Sequence, residues 1–116
     1  MNIIGGEKRG SKLALCASKA VRPTAQRTRE ALFNILQGGR FSLSLSKATV
    51  IDLFAGTGAI GLEALSRGAR SCVFVEQDQD ALQTLQANIS KLKLEDCAHI
   101  LAKDARQIHS WLGPRA

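Results

Sequence analysis

Three glycines and three acids carry the chemistry that can be read from this chain. Gly56, Gly58 and Gly61 stand at G-x-G-x-x-G spacing inside VIDLFAGTGAIG. Such a loop lets backbone N–H groups approach a ligand at a helix N-terminus. Asp52 lies four residues before Gly56, and Glu76 lies twenty after it. An acid at the place of Glu76 accepts ribose hydroxyls, which suits NAD and S-adenosylmethionine alike. Asp52 separates the two. A dinucleotide lays a doubly charged pyrophosphate over the loop, and a neighbouring carboxylate repels it. S-adenosylmethionine has no phosphate and carries an ammonium and a sulfonium, so a partly desolvated carboxylate favours it. Phe54 and Ala55, ahead of Gly56, also break the strand-then-Gly order of many dinucleotide sites. Asp104, followed by Ala105, can accept the adenine amino group.

Each acid has a plainer use as well: Glu76 as a strand-end carboxylate, Asp104 as a helix cap. Asp52 has less room for one, because an unpaired charge in a buried strand is costly. His99 and His109 have no partner at useful spacing and read as packing or surface residues. Trp111 reads as a residue packing a helix on the sheet. Cys16, Cys72 and Cys97 form no C-x-x-C pair, so neither a zinc site nor a disulfide framework is expected. No metal ligand set and no catalytic residue is assigned.

The elements that must hold these residues alternate from Thr49 onward. Thr49–Phe54 reads as a buried parallel strand, 59–67 as a helix stopped by Gly68, and 72–76 as a second strand. Asp78 or Asp80 caps a helix with the stripe Ala81, Leu82, Leu85, Ile89 and Leu92. Residues 98–102 form a third strand and 105–112 a short helix. This β-α-β-α-β-α order predicts a parallel sheet. Before it, 2–4 and 12–15 read as short strands around a Gly turn. Pro23-Thr24 opens a helix to about Gln37, with Thr28, Leu32, Ile35 and Leu36 on its inner face. Residues 40–48 read as a linker.

Charge divides the chain. Its 116 residues carry a net charge of +6, and all of that excess lies in residues 1–40, since the remainder balances. A basic segment on a neutral domain points to a polyanion, most often nucleic acid. The sequence shows no signal-peptide core and no long apolar run, so a cytoplasmic home away from membranes is expected.

The stretches IIGGEKRGSKL, VRPTAQRTREALFNIL, VIDLFAGTGAIGLEALSRGA and VFVEQD resemble the RsmD-type methyltransferases, nearly from end to end. The resemblance implies S-adenosylmethionine-dependent methylation of a guanine exocyclic amine in 16S ribosomal RNA, free or in the small ribosomal subunit particle. It implies that Asp52, Phe54, Ala55, Gly56 and Gly58 form the first cofactor motif. Glu76 is then the ribose acid, Gln77 lies beside the adenine, and Asp104 and Ala105 form the adenine-side motif. Arg22, Pro23 and Thr24 match the segment that leads over the cofactor cleft. Charge and family together mark Lys8, Arg9, Arg22, Arg27 and Arg29 for RNA binding.

One departure counts against full activity. The family carries an Asn/Asp-Pro-Pro-Tyr/Phe tetrad on its fourth strand, which holds the target amine and stacks on the flipped base. Here the prolines are Pro23 and Pro114 alone, and no such tetrad occurs. The expectation is an α/β, Rossmann-like S-adenosylmethionine-dependent methyltransferase fold, N-terminal half only. Residues 40–116 form the partial cofactor domain, and residues 1–39 a small basic β-hairpin and helix extension. The chain should bind cofactor without turning over. It should also self-associate through an open strand edge. The alternatives are a non-catalytic RNA-binding remnant and an NAD-binding oxidoreductase domain.

Overall fold

A computed structural model describes residues 1–15, 26–37 and 45–107. Their elements are α1 (Gln26–Gln37), β1 (Thr49–Asp52), α2 (Ala59–Ser66), β2 (Ser71–Val75), α3 (Gln79–Leu92), β3 (Ala98–Leu101) and a 3-10 turn (Ala105–Gln107). The strands form one parallel sheet in the order β1-β2-β3. Val50 pairs with Cys72, and Phe74 with both Asp52 and Ile100. This is the parallel α/β alternation that the sequence pattern predicts. β2, the central strand, buries Cys72, Phe74 and Val75 completely. Burial pushes the Cys72 thiol up to about 12, so it stays protonated and inert.

β1 does not match the expected buried strand. Ile51 is 43% exposed, and among the described residues β1 has one neighbour, β2. A strand with a neighbour on one side only leaves its other edge open to water.

Helix α2 is buried nearly all round and lies tightly on the sheet. A Cβ added at Gly61 would stand 2.3 Å from Phe74 Cε1 and 2.8 Å from Cys72 Sγ. The third glycine of the motif is therefore a packing glycine. Asp78 caps α3, its side chain accepting the Ala81 N–H at 2.9 Å. The α3 stripe contains one residue the sequence pattern did not single out, the fully buried Asn88.

Helix α1 turns a different face inward from the one expected. Arg29 and Phe33 are buried, while Thr28, Leu32 and Ile35 are exposed and Leu36 is half-buried. The cause is electrostatic: Arg29 is drawn toward the buried carboxylate of Glu63, its Nε 3.3 Å from Oε1 though not aligned as a hydrogen bond. Arg67 lies over the Phe33 ring at 4.8 Å, a cation–π contact that fixes the rotation of the helix. The expected helix start at Pro23-Thr24 falls outside the described residues, as do most of the linker and of the last helix. The N-terminal strands shorten to a single antiparallel bridge, Asn2 with Lys12.

Candidate cofactor cleft and basic hairpin

The carboxyl ends of β1, β2 and β3 open on one cleft, lined by Leu53, Phe54, Val75, Glu76, Gln77, Lys103, Asp104 and Ala105. The glycine loop sits above β2: the Ala55 N–H donates to the Val75 carbonyl at 3.1 Å. Gly56 and Gly58 both take positive φ, 56° and 93°, which the tight turn into α2 requires, and the Gly58 N–H closes that turn on the Ala55 carbonyl at 2.8 Å. Thr57 is buried, and its carbonyl accepts from Asn88 Nδ2 at 2.9 Å.

Glu76 is tied to that loop. Its Oε1 accepts the Gly56 N–H at 2.8 Å, and its Oε2 accepts those of Gln77 and Asp78 at 3.1 and 3.0 Å. Three charge-assisted bonds hold the carboxylate in place. Oε1, with one donor, keeps acceptor capacity for another, whereas Oε2 already accepts two.

Asp52 ends β1 beneath the same loop. Its Oδ2 is buried and, among the described residues, has no hydrogen-bond partner. Burial raises the Asp52 carboxyl above the usual range. Backbone N–H groups of Phe54 and Gly61 oppose that shift, and the charge of Glu76 adds to it. Glu76 and Asp104 line the cleft, and Asp52, at the end of β1 and not among the lining residues, keeps a buried oxygen without a partner among the described residues beneath the loop. A cationic or N–H-bearing group fits there, and a pyrophosphate does not. Phe54 is 80% exposed at the rim, available to cover an aromatic ligand.

Asp104 meets its plainer reading, as a cap, and lines the cleft. It caps the 3-10 turn by accepting the Arg106 N–H at 2.9 Å, and it pairs with the Arg106 guanidinium, Nη2 to Oδ2 at 2.5 Å. The Arg106 guanidinium holds the Asp104 carboxyl down at about 2. A ligand amino group there must share the carboxylate with Arg106. Phe54, Glu76, Gln77, Asp104 and Ala105 come together in the cleft, while Asp52, Ala55, Gly56 and Gly58 belong to the end of β1 and the loop beside it. Leu53, Val75 and Lys103 were not anticipated. Lys103 follows β3 as Gln77 follows β2, and that equivalence was the available signal.

The basic residues scatter. Lys8 is half-buried, 3.9 Å from Glu7, and Arg9 and Arg27 are exposed. Arg22 lies outside the described residues. Arg29 is a correction: with no exposed surface and an ion pair to Glu63, it cannot reach a phosphate. Two residues that sequence reasoning missed, Glu63 and Asn88, dock the hairpin. The Asn88 amide bonds both the N–H and the carbonyl of Ala14, at 2.7 and 3.2 Å. Because Asn88 also holds Thr57, the hairpin exit is fixed beside the glycine loop. Glu63 could have been noticed as the one acid in the apolar run AIGLEALS.

No helix among the described residues is long and apolar enough to cross a membrane. A family model described as "Conserved hypothetical protein 95" matches residues 1–113. Among curated proteins, the chain is similar to "Ribosomal RNA small subunit methyltransferase D" of Escherichia coli (strain K12). The two are 44% identical over 93 residues, or 80% of this chain and 44% of that protein. The solved yhhF protein of Escherichia coli is 37% identical with a TM-score of 0.79, over 97% of this chain and 56% of that one. TYW2 of Pyrococcus horikoshii, solved in complex with MeSAdo, is 30% identical with a TM-score of 0.50, over 52% of this chain and 23% of that one. The chain spans about half the length of the curated relatives it matches, between 44% and 58%.

Proposed function

From the premise that this chain belongs to the conserved hypothetical protein 95 family, the RsmD-type ribosomal RNA methyltransferases, we propose that it supplies the S-adenosylmethionine-binding part of an enzyme that methylates a guanine exocyclic amine in 16S ribosomal RNA. The observation that carries this reading is the free buried oxygen of Asp52 beneath a glycine loop that Glu76 braces. When bound, S-adenosylmethionine supplies an electrophilic methyl group on a sulfonium.

The residues of the chain divide the work of holding it. Asp52 offers a carboxylate to the cationic methionine end, and Gly56 and Gly58, which carry no side chain, let that end lie close to the loop backbone. Glu76 accepts ribose hydroxyls, Gln77 and Phe54 flank the adenine, and Asp104 and Ala105 receive its polar edge. Positioning of two bound reactants is the main source of acceleration in such a transfer. The partner is RNA of the small ribosomal subunit, free or in its particle, engaged by Lys8, Arg9, Arg27 and Arg22. A cytoplasmic setting accords with that substrate. The Asn/Asp-Pro-Pro-aromatic tetrad that would hold the target amine is not in these 116 residues, so the chain by itself binds and does not transfer.

Calorimetry of the chain with S-adenosylhomocysteine and with NAD tests the reading. Heat of binding from the first and none from the second is expected, and the reverse would overturn it. Incubation with radiolabelled S-adenosylmethionine and small-subunit RNA should leave the RNA unlabelled. Clear transfer would refute the division of labour.

A further inference from the structure

The N-terminal hairpin is locked to the far end of the helix that begins at the glycine loop. The lock is centred on Glu63, whose side chain is fully buried on α2. Its Oε1 accepts the Ile4 N–H and its Oε2 the Gly5 N–H, both at 2.9 Å. Oε2 also accepts from Arg67 Nε at 2.8 Å, and Oε1 faces Arg29. One turn on, Ser66 continues the seam. Its hydroxyl accepts the Lys8 N–H at 2.9 Å and donates to the Gly5 carbonyl at 2.6 Å, and its carbonyl accepts the Glu7 N–H at 2.8 Å. Arg29 joins in through its Nη2, which donates to the Asn2 carbonyl.

A buried carboxylate with two guanidiniums and two amides is an expensive way to seat a short surface turn, since each ion loses its hydration. Apolar side chains would seat it as well. What the carboxylate adds is direction: both backbone N–H groups must point at one pair of oxygens, so the turn cannot slide or rotate. The turn carries Lys8 and Arg9. The glycine loop lies at the other end of α2, an eight-residue helix about 12 Å long. The exit of the hairpin is held at that loop by Asn88. Helix α2 therefore works as a rigid spacer between the basic turn and the cofactor cleft.

Resting on the RNA reading above, the geometry points to Glu63 as a positioning residue: it fixes Lys8 and Arg9 at a set distance from the cofactor cleft, so that phosphates gripped by the turn register the RNA strand against the methyl donor.

The test uses the 116-residue chain and a 16S ribosomal RNA transcript. Glu63→Gln removes the charge and keeps the shape, and Glu63→Gln with Arg29→Met also removes the buried cation, which guards against simple unfolding. Three quantities are read: amide exchange at Ile4 and Gly5, affinity for S-adenosylhomocysteine, and RNA affinity with and without Lys8→Ala. The expected result is fast exchange at both amides, cofactor affinity within about twofold of the parent, and RNA affinity down by about tenfold, a change of ~1.4 kcal/mol. In that background Lys8→Ala should cost almost nothing further, although in the parent chain it weakens binding. Loss of fold alone would lower both affinities together and would leave no such coupling. Unchanged exchange, or additive losses from Glu63→Gln and Lys8→Ala, overturns the positioning role and leaves the RNA reading intact. A parent chain that fails to bind the transcript overturns both.

Discussion

Oε1 of Glu76 stands 2.8 Å from the amide nitrogen of Gly56, so the acid that ends β2 braces the loop that follows β1 before any ligand arrives. Glu76→Ala removes a ribose acceptor and the brace together. Hydrogen bonds to a charged group contribute about 1.5–3 kcal/mol each, so affinity for S-adenosylhomocysteine should fall by about 10- to 100-fold. Calorimetry measures it. Glu76→Gln, which can still accept from Gly56, should lose less.

Asp52 opposes stability in the free protein and serves binding. Burial raises its folded-state carboxyl above the ordinary 3.8, so the folded state holds its proton more tightly than the unfolded chain. The resulting stabilisation is full below the unfolded value and is lost as pH rises through the raised folded value. Asp52→Asn should abolish that step, and its Tm should exceed that of the parent near pH 8 while the two converge at acid pH. Thermal melts across pH check the sign. The same variant should bind S-adenosylmethionine at least about tenfold more weakly, a loss of ~1.4 kcal/mol.

Gly61→Ala should destabilise by about 1–3 kcal/mol through overpacking, because the new methyl meets Phe74 at 2.3 Å. Pairing it with Phe74→Leu should return part of the loss. Urea unfolding of the parent and of both variants gives the comparison.

Arginines of the N-terminal third should behave in two ways. Arg9→Ala should lower the slope of log K against log salt for RNA binding by about 0.7–0.9, one phosphate contact. Arg29→Ala should act first on the fold and cost about 3 kcal/mol of stability, since it strips a buried partner from Glu63. A salt titration and a urea melt on each variant separate the roles.

β1 leaves Ile51 at 43% exposure, with Leu53 at 40% and Phe54 at 80% just beyond it. An apolar edge of this kind invites pairing with another chain. Light scattering should show mass rising with concentration, and replacing Ile51 with Lys should return the chain toward a monomer.

Composition and order were enough to determine the alternating α/β plan, because apolar parallel strands and amphipathic helices write period and polarity directly into VIDLF, CVFVE and the α3 stripe. The glycine spacing and the acids at strand ends were legible for the same local reason: a loop after a strand must open at the carboxyl edge of the sheet. Tertiary structure alone decided the rotation of α1, the burial of Arg29 and the exposure of β1. The stripe Thr28, Leu32, Ile35, Leu36 is as good a helical face as Arg29 and Phe33 by periodicity. The choice between them depends on Glu63, 34 residues away from Arg29 in sequence, and on a carboxylate whose burial demands a cation beside it. Charge counted along the chain could identify a basic segment. Only the fold could show that one of its arginines faces inward while Lys8 and Arg9 stand on a turn fixed to the cofactor helix.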